Sequence, residues 1–297
     1  MKKHQFPRLK DKTTGLLNFL DYKKTSNKIG YAFIIIILAI FAFIAIVPLF
    51  WLLVTSFKTV NEINSNNYHF FPESFSIMKV VELWNKIKFG KYYLNTFIVV
   101  LGSMVTAVIF NGLLAYAIGI LKPFGYKVIN ALVLLGYMIP SILSIFPLIM
   151  QIKNTGLMNT YWPLWLMFGA NAYYYLLFKD YYEKLPSSLI EAARMDGCNH
   201  LSIFFRIVIP LSKPIIGVVA IFAMTASYSD FLLPYLVLQN QDYQTVMIAV
   251  YRLSGTTTLD TSEQLMLLVL SIIPELILFF IFQRQIMGTS LKAGMKE

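Results

Sequence analysis

A few polar residues lie inside long apolar segments of this chain, and they are the residues that could do chemistry. Asn111, Asp230 and Glu275 each interrupt an apolar run, and Ser227 and Tyr228 precede Asp230. An ionisable side chain inside a bilayer is costly unless it faces a cavity or a partner. A tyrosine beside a carboxylate suits a sugar, because the ring stacks on its apolar face and the carboxylate accepts hydrogen bonds from its hydroxyls. We therefore take these five residues as candidates for a substrate pathway.

Two of these candidates have alternative interpretations. Asp230 is equally consistent with a residue at the outer end of a helix, where it would meet water. Glu275 directly follows Pro274, and it could face the substrate or pair with a companion subunit.

The sequence contains no pattern for catalysis or metal binding. His4, His69 and His200 are far apart, and none has a partner at metal-ligand spacing. The single cysteine, Cys198, excludes an internal disulfide. The nucleophile elbow and the Gly-x-x-x-x-Gly-Lys-Ser/Thr phosphate loop are also absent from the sequence. We expect no enzyme activity, metal or cofactor in this chain, so any ATP-driven step needs a separate ATPase chain.

The composition is that of a polytopic membrane protein. Of 297 residues, 57% are hydrophobic and 13% are charged, whereas about a quarter of a soluble domain is charged. The net charge of +10 comes from basic residues gathered in one set of loops, which indicates membrane topology rather than nucleic-acid binding. The first apolar run begins near Ile29 and is too long for the apolar part of a signal peptide.

Six apolar segments are each close to the roughly 20 residues that a spanning helix needs. They cover residues 29–54, 94–120, 128–150, 163–182, 214–238 and 265–285. The basic residues before the first segment predict a cytoplasmic N-terminus, and six spans return the C-terminus to the same side. Five prolines fall within or beside these segments, where they either bend helices to open a pathway or are simply tolerated: Pro48, Pro140, Pro147, Pro234 and Pro274.

These spans divide the chain into five predicted parts. Residues 1–28 form a basic cytoplasmic arm, which is either a topology signal or carries a helix lying on the membrane surface. The first transmembrane helix covers 29–54, an extracytoplasmic loop covers 55–93, the core transmembrane domain covers 94–287, and a cytoplasmic tail covers 288–297.

A short polar helix is predicted in the loop after the fourth span. Ser188 and Glu191 have the spacing of a capping box, and Gly197 follows where a positive φ would end the helix. Taken alone, the pattern is equally consistent with an ordinary loop helix between two spans.

The ordered set of motifs resembles the carbohydrate permeases of ABC importers. Glu191-Ala192-Ala193, with Gly197 after it, is similar to the EAA loop of that family. Further motifs at residues 92–96, 138–140, 156–161, 228–231 and 282–284 follow in the family's order and spacing, closest in pattern to the maltose-permease G-subunit type. The resemblance runs from about residue 29 to the C-terminus. At 228–230 this chain has Tyr-Ser-Asp, where the family often has Trp-Asn-Asp or Trp-Asn-Glu.

The resemblance implies a fold and a set of partners. The fold is an all-α, MetI-like permease with six transmembrane helices and cytoplasmic termini, multi-pass in a bacterial plasma or inner membrane. Its coupling helix, at about 187–203, docks on the ATPase through Glu191, Ala192, Ala193, Asp196 and Gly197. The partners are a second permease in a heterodimer, two ATP-binding cassette subunits that hold ATP and Mg, and an extracytoplasmic solute-binding protein, with no nucleic acid.

The implied function is import of a sugar or oligosaccharide by alternating access. The loop from Gln239 to Glu263 has one base against three acids, which suits the outside, and Tyr243, Tyr251 and Arg252 are its candidate contacts for the binding protein.

Three other functions remain as alternatives. An ion-coupled secondary transporter would show inverted repeats and a relay of buried charges. A membrane-embedded transferase or hydrolase would need a catalytic cluster at a membrane face. Neither pattern is visible in the sequence. An ABC permease for glycerol phosphate or a uronate oligomer would look similar to a sugar permease.

Overall fold

The computed structural model describes residues 25–65 and 69–294, with side chains for residues 28–65 and 69–283. Residues 1–24 of the predicted basic arm and the end of the predicted tail, 295–297, lie outside the described residues. The described part is helical and contains no strand. Its α-helices are α1 (Thr25–Ser56), α2 (Val60–Asn64), α3 (Ile77–Lys86), α4 (Phe89–Tyr116), α5 (Tyr126–Met138), α6 (Ser141–Asn154), α7 (Trp162–Gly169), α8 (Ala172–Tyr182), α9 (Ser187–Met195), α10 (His200–Ile203), α11 (Ile209–Leu211), α12 (Lys213–Ser229), α13 (Leu232–Val237), α14 (Val246–Ser254) and α15 (Thr261–Gly294).

Within the described residues, three helices are long and apolar enough to cross a membrane by themselves. They are Lys28–Ser56, Phe89–Leu121 and Thr261–Gln283, which confirms a single helix in the first, second and sixth predicted segments. α1 exposes apolar side chains around its circumference and packs mainly against α15. Such a helix suits a lipid environment. α15 continues to Gly294, beyond the predicted end of the core domain at residue 287.

The third apolar segment is a bent pair of helices. The fifth consists of α12 and the short α13, and α12 also forms a bent pair with the helical segment His200–Leu211 that precedes it. α5 and α6 meet at 105°, because Pro140 has no backbone N–H to continue the ladder and disfavours a helical conformation at the preceding residue, Ile139 (φ −79°, ψ 124°). The helical segment before Lys213 meets α12 at 84°. Counted as one span each, the two pairs raise the number of candidate spans in the described chain to five.

The fourth apolar segment consists of α7 and α8, which are separated at Ala170 and Asn171. The Asn171 side chain accepts the backbone N–H groups of Tyr173 and Tyr174 and so caps α8. The predicted number of six spans and the orientation of the termini stay predictions.

α4 is the central helix, and it packs against α7, α8 and α12. Two glycines allow the close approach of α4 and α7. A Cβ on Gly102 would lie 2.2 Å from the Trp165 ring, and a Cβ on Gly169 would lie 2.8 Å from the Phe110 ring. These positions therefore have no room for a larger residue unless an aromatic ring moves.

A lysine joins three elements at one end of the bundle. The Lys79 ammonium on α3 donates to the carbonyl oxygens of Ser56 (2.9 Å) and Lys58 (2.7 Å), at and just after the end of α1, and to the Ser262 hydroxyl on α15. Burial lowers the pKa of Lys79, and the charges of Asp260, Glu62 and Glu263 oppose that shift. The three donors of the ammonium are all used, so the contact fixes the end of α1.

Candidate coupling surface and substrate pathway

The region predicted as one coupling helix, at about 187–203, contains two helices, α9 (Ser187–Met195) and α10 (His200–Ile203), because Gly197 ends the first. The start of α9 also differs from the prediction. Pro186 is its N-cap, and no side chain caps the helix. Ser188 lies inside the first turn, where its helical backbone prevents it from acting as an N-cap. The predicted capping box between Ser188 and Glu191 is therefore wrong. The reason is that Pro186, with φ −60° and ψ 120°, starts the helix earlier than the Ser-x-x-Glu pattern assumes.

The end of α9 agrees with the prediction. Gly197 has φ +79°, which confirms the predicted positive φ. The Gly197 N–H donates to the Arg194 carbonyl (3.0 Å), and the Cys198 N–H donates to the Ala193 carbonyl (3.0 Å). These two bonds form a Schellman motif. A Cβ on Gly197 would meet nothing within 4 Å, so backbone conformation rather than crowding favours glycine here.

One face of α9 is anchored in the core and the other is open. Ile190 and Ala193 are buried in a core cluster with residues of α4, α8 and α10. Of the predicted coupling residues, Ala193 is buried, whereas Glu191, Ala192, Asp196 and Gly197 are exposed. Several large apolar side chains around them are exposed as well: Leu189, Met195, Leu201 and Phe205. Exposed apolar side chains beside charged ones are typical of a protein-docking surface.

Two π-helical turns lie below this surface. One, Ala117–Leu121, extends α4, and the other, Phe204–Val208, follows α10. The rings of Tyr116 and Phe204 join them, with centroids 5.3 Å apart. Isolated π-turns are frequent at functional sites. Both turns contribute buried residues, Ile118 and Phe204 among them, to the core cluster that also holds α9.

Asn111, one of the predicted pathway residues, is buried and bonded to backbone groups. Its amide donates to the carbonyls of Ala107 (2.8 Å) and Phe168 (2.9 Å), and its Oδ1 accepts the N–H of Asn171 (3.1 Å). Both of its amide hydrogens and its oxygen are therefore engaged. Asn111 holds the break between α7 and α8 against α4.

Ser229 is close to two carboxylates, because Asp230 follows it in the chain and Glu275 on α15 accepts its hydrogen bond. The Ser229 hydroxyl donates to Oε1 of Glu275 at 2.9 Å, which links α12 to α15. Asp230 follows the last residue of α12 and directly precedes Phe231, the N-cap of α13. Both carboxylates are partly exposed. They are accessible to a solute or a partner at the side of the bundle where α12 ends.

Ser227 and Tyr228 face a different direction from Asp230. Tyr228 is only 5% exposed, and its hydroxyl donates to the carbonyl of Ser271 on α15. Ser227 is buried and donates to the carbonyl of Met224 (3.1 Å). Tyr228 lies in the last turn of α12, whereas Asp230 follows the helix with an extended backbone (ψ 127°), so their closeness in sequence does not make them one site.

A cavity of about 320 Å³ contains residues that the sequence did not single out. Asp230 and Ser229 line it together with Asn171 and Tyr174 from the start of α8. The sequence signal for Asn171 was its position as a possible N-cap directly after Gly169-Ala170. Tyr174 gave no comparable signal, because its place at the cavity depends on the packing of α8 against α12.

The three residues predicted to contact a binding protein are exposed, and each lies against an aromatic ring. Tyr251 is 57% exposed and contacts the rings of Phe231 and Tyr235 at 4.7 and 5.3 Å between centroids. The Arg252 guanidinium lies 5.7 Å from the centroid of the Tyr235 ring. Tyr243 is separate from this group and contacts Tyr161 edge-to-face at 5.8 Å. The three residues thus form two neighbouring contact points on the segment between α13 and α15.

Three comparisons place the chain among known proteins. Residues 111–287 match the family model described as "Binding-protein-dependent transport system inner membrane component". The diacetylchitobiose uptake system permease protein NgcG of Streptomyces coelicolor is 31% identical over 85% of each chain. The arabinooligosaccharides transport system permease protein AraQ of Halalkalibacterium halodurans is 29% identical over 97% of this chain and all of its own.

A further relative and a solved structure agree with these matches. The melibiose/raffinose/stachyose import permease protein MelC of Bacillus subtilis is 29% identical over 84% of this chain and 91% of its own. The fold matches a chain in the crystal structure of a bacterial ABC transporter involved in the import of the acidic polysaccharide alginate, with a TM-score of 0.77. That match covers 88% of this chain and 98% of the other at 20% identity.

Proposed function

The chain belongs to the family of binding-protein-dependent transport system inner membrane components, and we propose that it is a permease subunit of an ATP-driven importer for an oligosaccharide. The names of its relatives support the solute class, because diacetylchitobiose, arabinooligosaccharides and raffinose are all sugars of more than one unit. The long apolar helices supply the membrane-spanning part.

The exposed surface of α9 carries this proposal. Ile190 and Ala193 fix the helix to the core, and Gly197 fixes its end. Glu191 and Met195 then project from a rigid base, Met195 with 89% of its surface exposed. We propose that an ATPase subunit covers this surface, with apolar contacts to Met195 and Leu201 and polar contacts to Glu191 and Asp196.

The proposed assembly contains this chain, a second permease, two ATP-binding cassette subunits and an extracytoplasmic solute-binding protein. ATP and Mg are bound by the cassette subunits. This chain crosses a bacterial plasma or inner membrane six times, with both termini in the cytoplasm. Closure of the cassettes moves α9, the π-turns transmit the movement to α4, and the permease pair alternates between outward and inward access.

The predicted substrate residues then have two kinds of role. Asp230 and Glu275 are partly exposed and line the route. Asn111 and Tyr228 hold the helices around it, since their side chains donate to backbone carbonyls of α7 and α15, whereas Ser227 is bonded within α12. On the outer side, we propose that Tyr243, Tyr251 and Arg252 contact the binding protein.

A pull-down with a charge placed on α9 tests the docking surface. Met195→Asp puts a carboxylate at the centre of the proposed apolar contact, and it should strongly reduce the amount of ATPase subunit recovered with the tagged chain. Met78→Asp on α3 is the matched control, because Met78 is 62% exposed but lies in the predicted extracytoplasmic loop.

The control should recover the ATPase as the unmodified chain does. Equal recovery with Met195→Asp and Met78→Asp would contradict docking on α9. Failure of the unmodified chain to recover any ATPase subunit would contradict the importer assembly itself.

A further inference from the structure

Three adjoining cavities surround the end of α12 and the break between α7 and α8. Their volumes are about 880, 320 and 160 Å³. Met167 lines all three, Asn171 lines the two larger ones, and Asp230 lines the two smaller ones. Together they have room for more than one sugar ring. No lysine, arginine or histidine of the described chain lines any of them.

Tyr174 is a largely buried tyrosine at the 320 Å³ cavity. The residue is only 4% exposed, and it lines that cavity. Its backbone N–H is bonded to Asn171. Its hydroxyl is not one of the fully buried polar atoms that lack a partner in the described chain, so it remains accessible to a hydrogen-bonding group in the cavity.

The remaining polar groups of this cavity are mostly acceptors. Asp230 and Ser229 line the cavity. Glu275 lines none of the three cavities, but its Oε1 accepts the Ser229 hydroxyl at 2.9 Å, so its carboxylate is next to a lining residue. Sugar hydroxyls donate hydrogen bonds to carboxylates, and the Tyr174 hydroxyl can donate to a ring or hydroxyl oxygen. Two carboxylates with no cation around the cavity repel an anionic solute.

We propose that this cavity is a subsite for an uncharged sugar ring, and that Asp230 and Glu275 exclude uronates and sugar phosphates from it. This inference rests on the proposed function, because only transport makes the cavity part of a solute route. It separates the alternatives that the sequence leaves open: a neutral oligosaccharide fits the cavity, whereas glycerol phosphate or a uronate oligomer does not.

The test measures the local potential with charged thiol reagents and does not depend on any binding protein. Cys198→Ser removes the only cysteine, and Ser229→Cys then places one thiol at the cavity, in membranes that contain the assembled complex. The rates of modification by an ammonium-bearing and a sulfonate-bearing methanethiosulfonate are compared, each relative to a free thiol. The ratio of the two rates cancels any effect of the carboxylates on the ionisation of the thiol.

We expect the Ser229→Cys thiol to favour the cationic reagent by about tenfold or more. Asp230→Asn with Glu275→Gln should return the ratio to about that of a free thiol, and each single variant should give an intermediate ratio. Gly136→Cys is the control, because it lines the 880 Å³ cavity, which has no charged lining residue, and its Cβ has open space around it. It should show the free-thiol ratio with or without the two acids.

Three outcomes would overturn the inference. They are no reaction of the Ser229→Cys variant with either reagent, an equal preference in the Ser229→Cys and Gly136→Cys variants, and a preference that survives neutralisation of both acids. If the double variant does not assemble, the two single variants decide. The expected ratio in a chain that recovers no ATPase subunit would contradict the proposed function while leaving the acidic character of the cavity intact.

Discussion

Replacing Gly197 by valine should weaken the coupling of this chain to its ATPase. The residue has φ +79° and ends α9 in a Schellman motif. Open space surrounds its Cα hydrogens, so the cost of a side chain is backbone strain and not a clash. A non-glycine residue in the left-handed region costs about 1–3 kcal/mol. Because about 1.4 kcal/mol is a factor of ten, the folded end of α9 should become roughly 5- to 150-fold less favoured relative to its unwound form.

A series of substitutions separates strain from other effects. Asparagine tolerates the left-handed region better than alanine, and valine is the worst of the three because it is β-branched. The loss of binding-protein-stimulated ATPase activity in the reconstituted complex should therefore increase in the order Gly197→Asn, Gly197→Ala, Gly197→Val. Gly217→Ala in α12 is the control, since its Cβ also has open space but its φ is not positive. Equal activity across the series would refute the argument that the shape of this turn is needed for coupling.

Three further experiments test the packing and the topology. Gly102→Ala should lower the thermal stability of the purified complex by about 1–3 kcal/mol, because its Cβ meets the Trp165 ring, and Trp165→Leu should restore part of the loss. Asn111→Leu should cost about 2–5 kcal/mol, because it leaves a carbonyl and an N–H at the break between α7 and α8 without a partner; an unchanged melting temperature would contradict this. Cys198 should react with a membrane-impermeant maleimide in inside-out vesicles and not in intact cells, and labelling from outside would contradict the orientation with cytoplasmic termini.

The long helices follow from the sequence because their signal is local. Continuous apolar composition is sufficient to predict α1, α4 and α15. Pro140 indicates a break between α5 and α6. The sequence does not determine the angle between the two helices, which is 105°. The break at Asn171 depends on Asn111, sixty residues earlier. No local pattern reveals such a contact.

The residues of the candidate sites also differ in how well the sequence predicts them, because only some of them have a local signal. Gly197 was predictable because a helix end with positive φ needs glycine at one position. The predicted capping box is wrong because the N-cap of α9 is Pro186, two residues before Ser188. Tyr228 and Asp230 are neighbours in sequence, but the hydroxyl of Tyr228 is bonded to α15. Only the packing of α8 against α12 brings Tyr174 to the cavity.

Transport of an oligosaccharide by this chain should depend on ATP hydrolysis by a partner subunit. The most direct measurement is uptake of a labelled neutral oligosaccharide into proteoliposomes that contain this chain with its companion permease and ATPase subunits. Uptake should require both ATP and a loaded binding protein, and it should be lost when the ATPase subunits are left out. Uptake that persists without the ATPase subunits and follows an imposed ion gradient would contradict the claim.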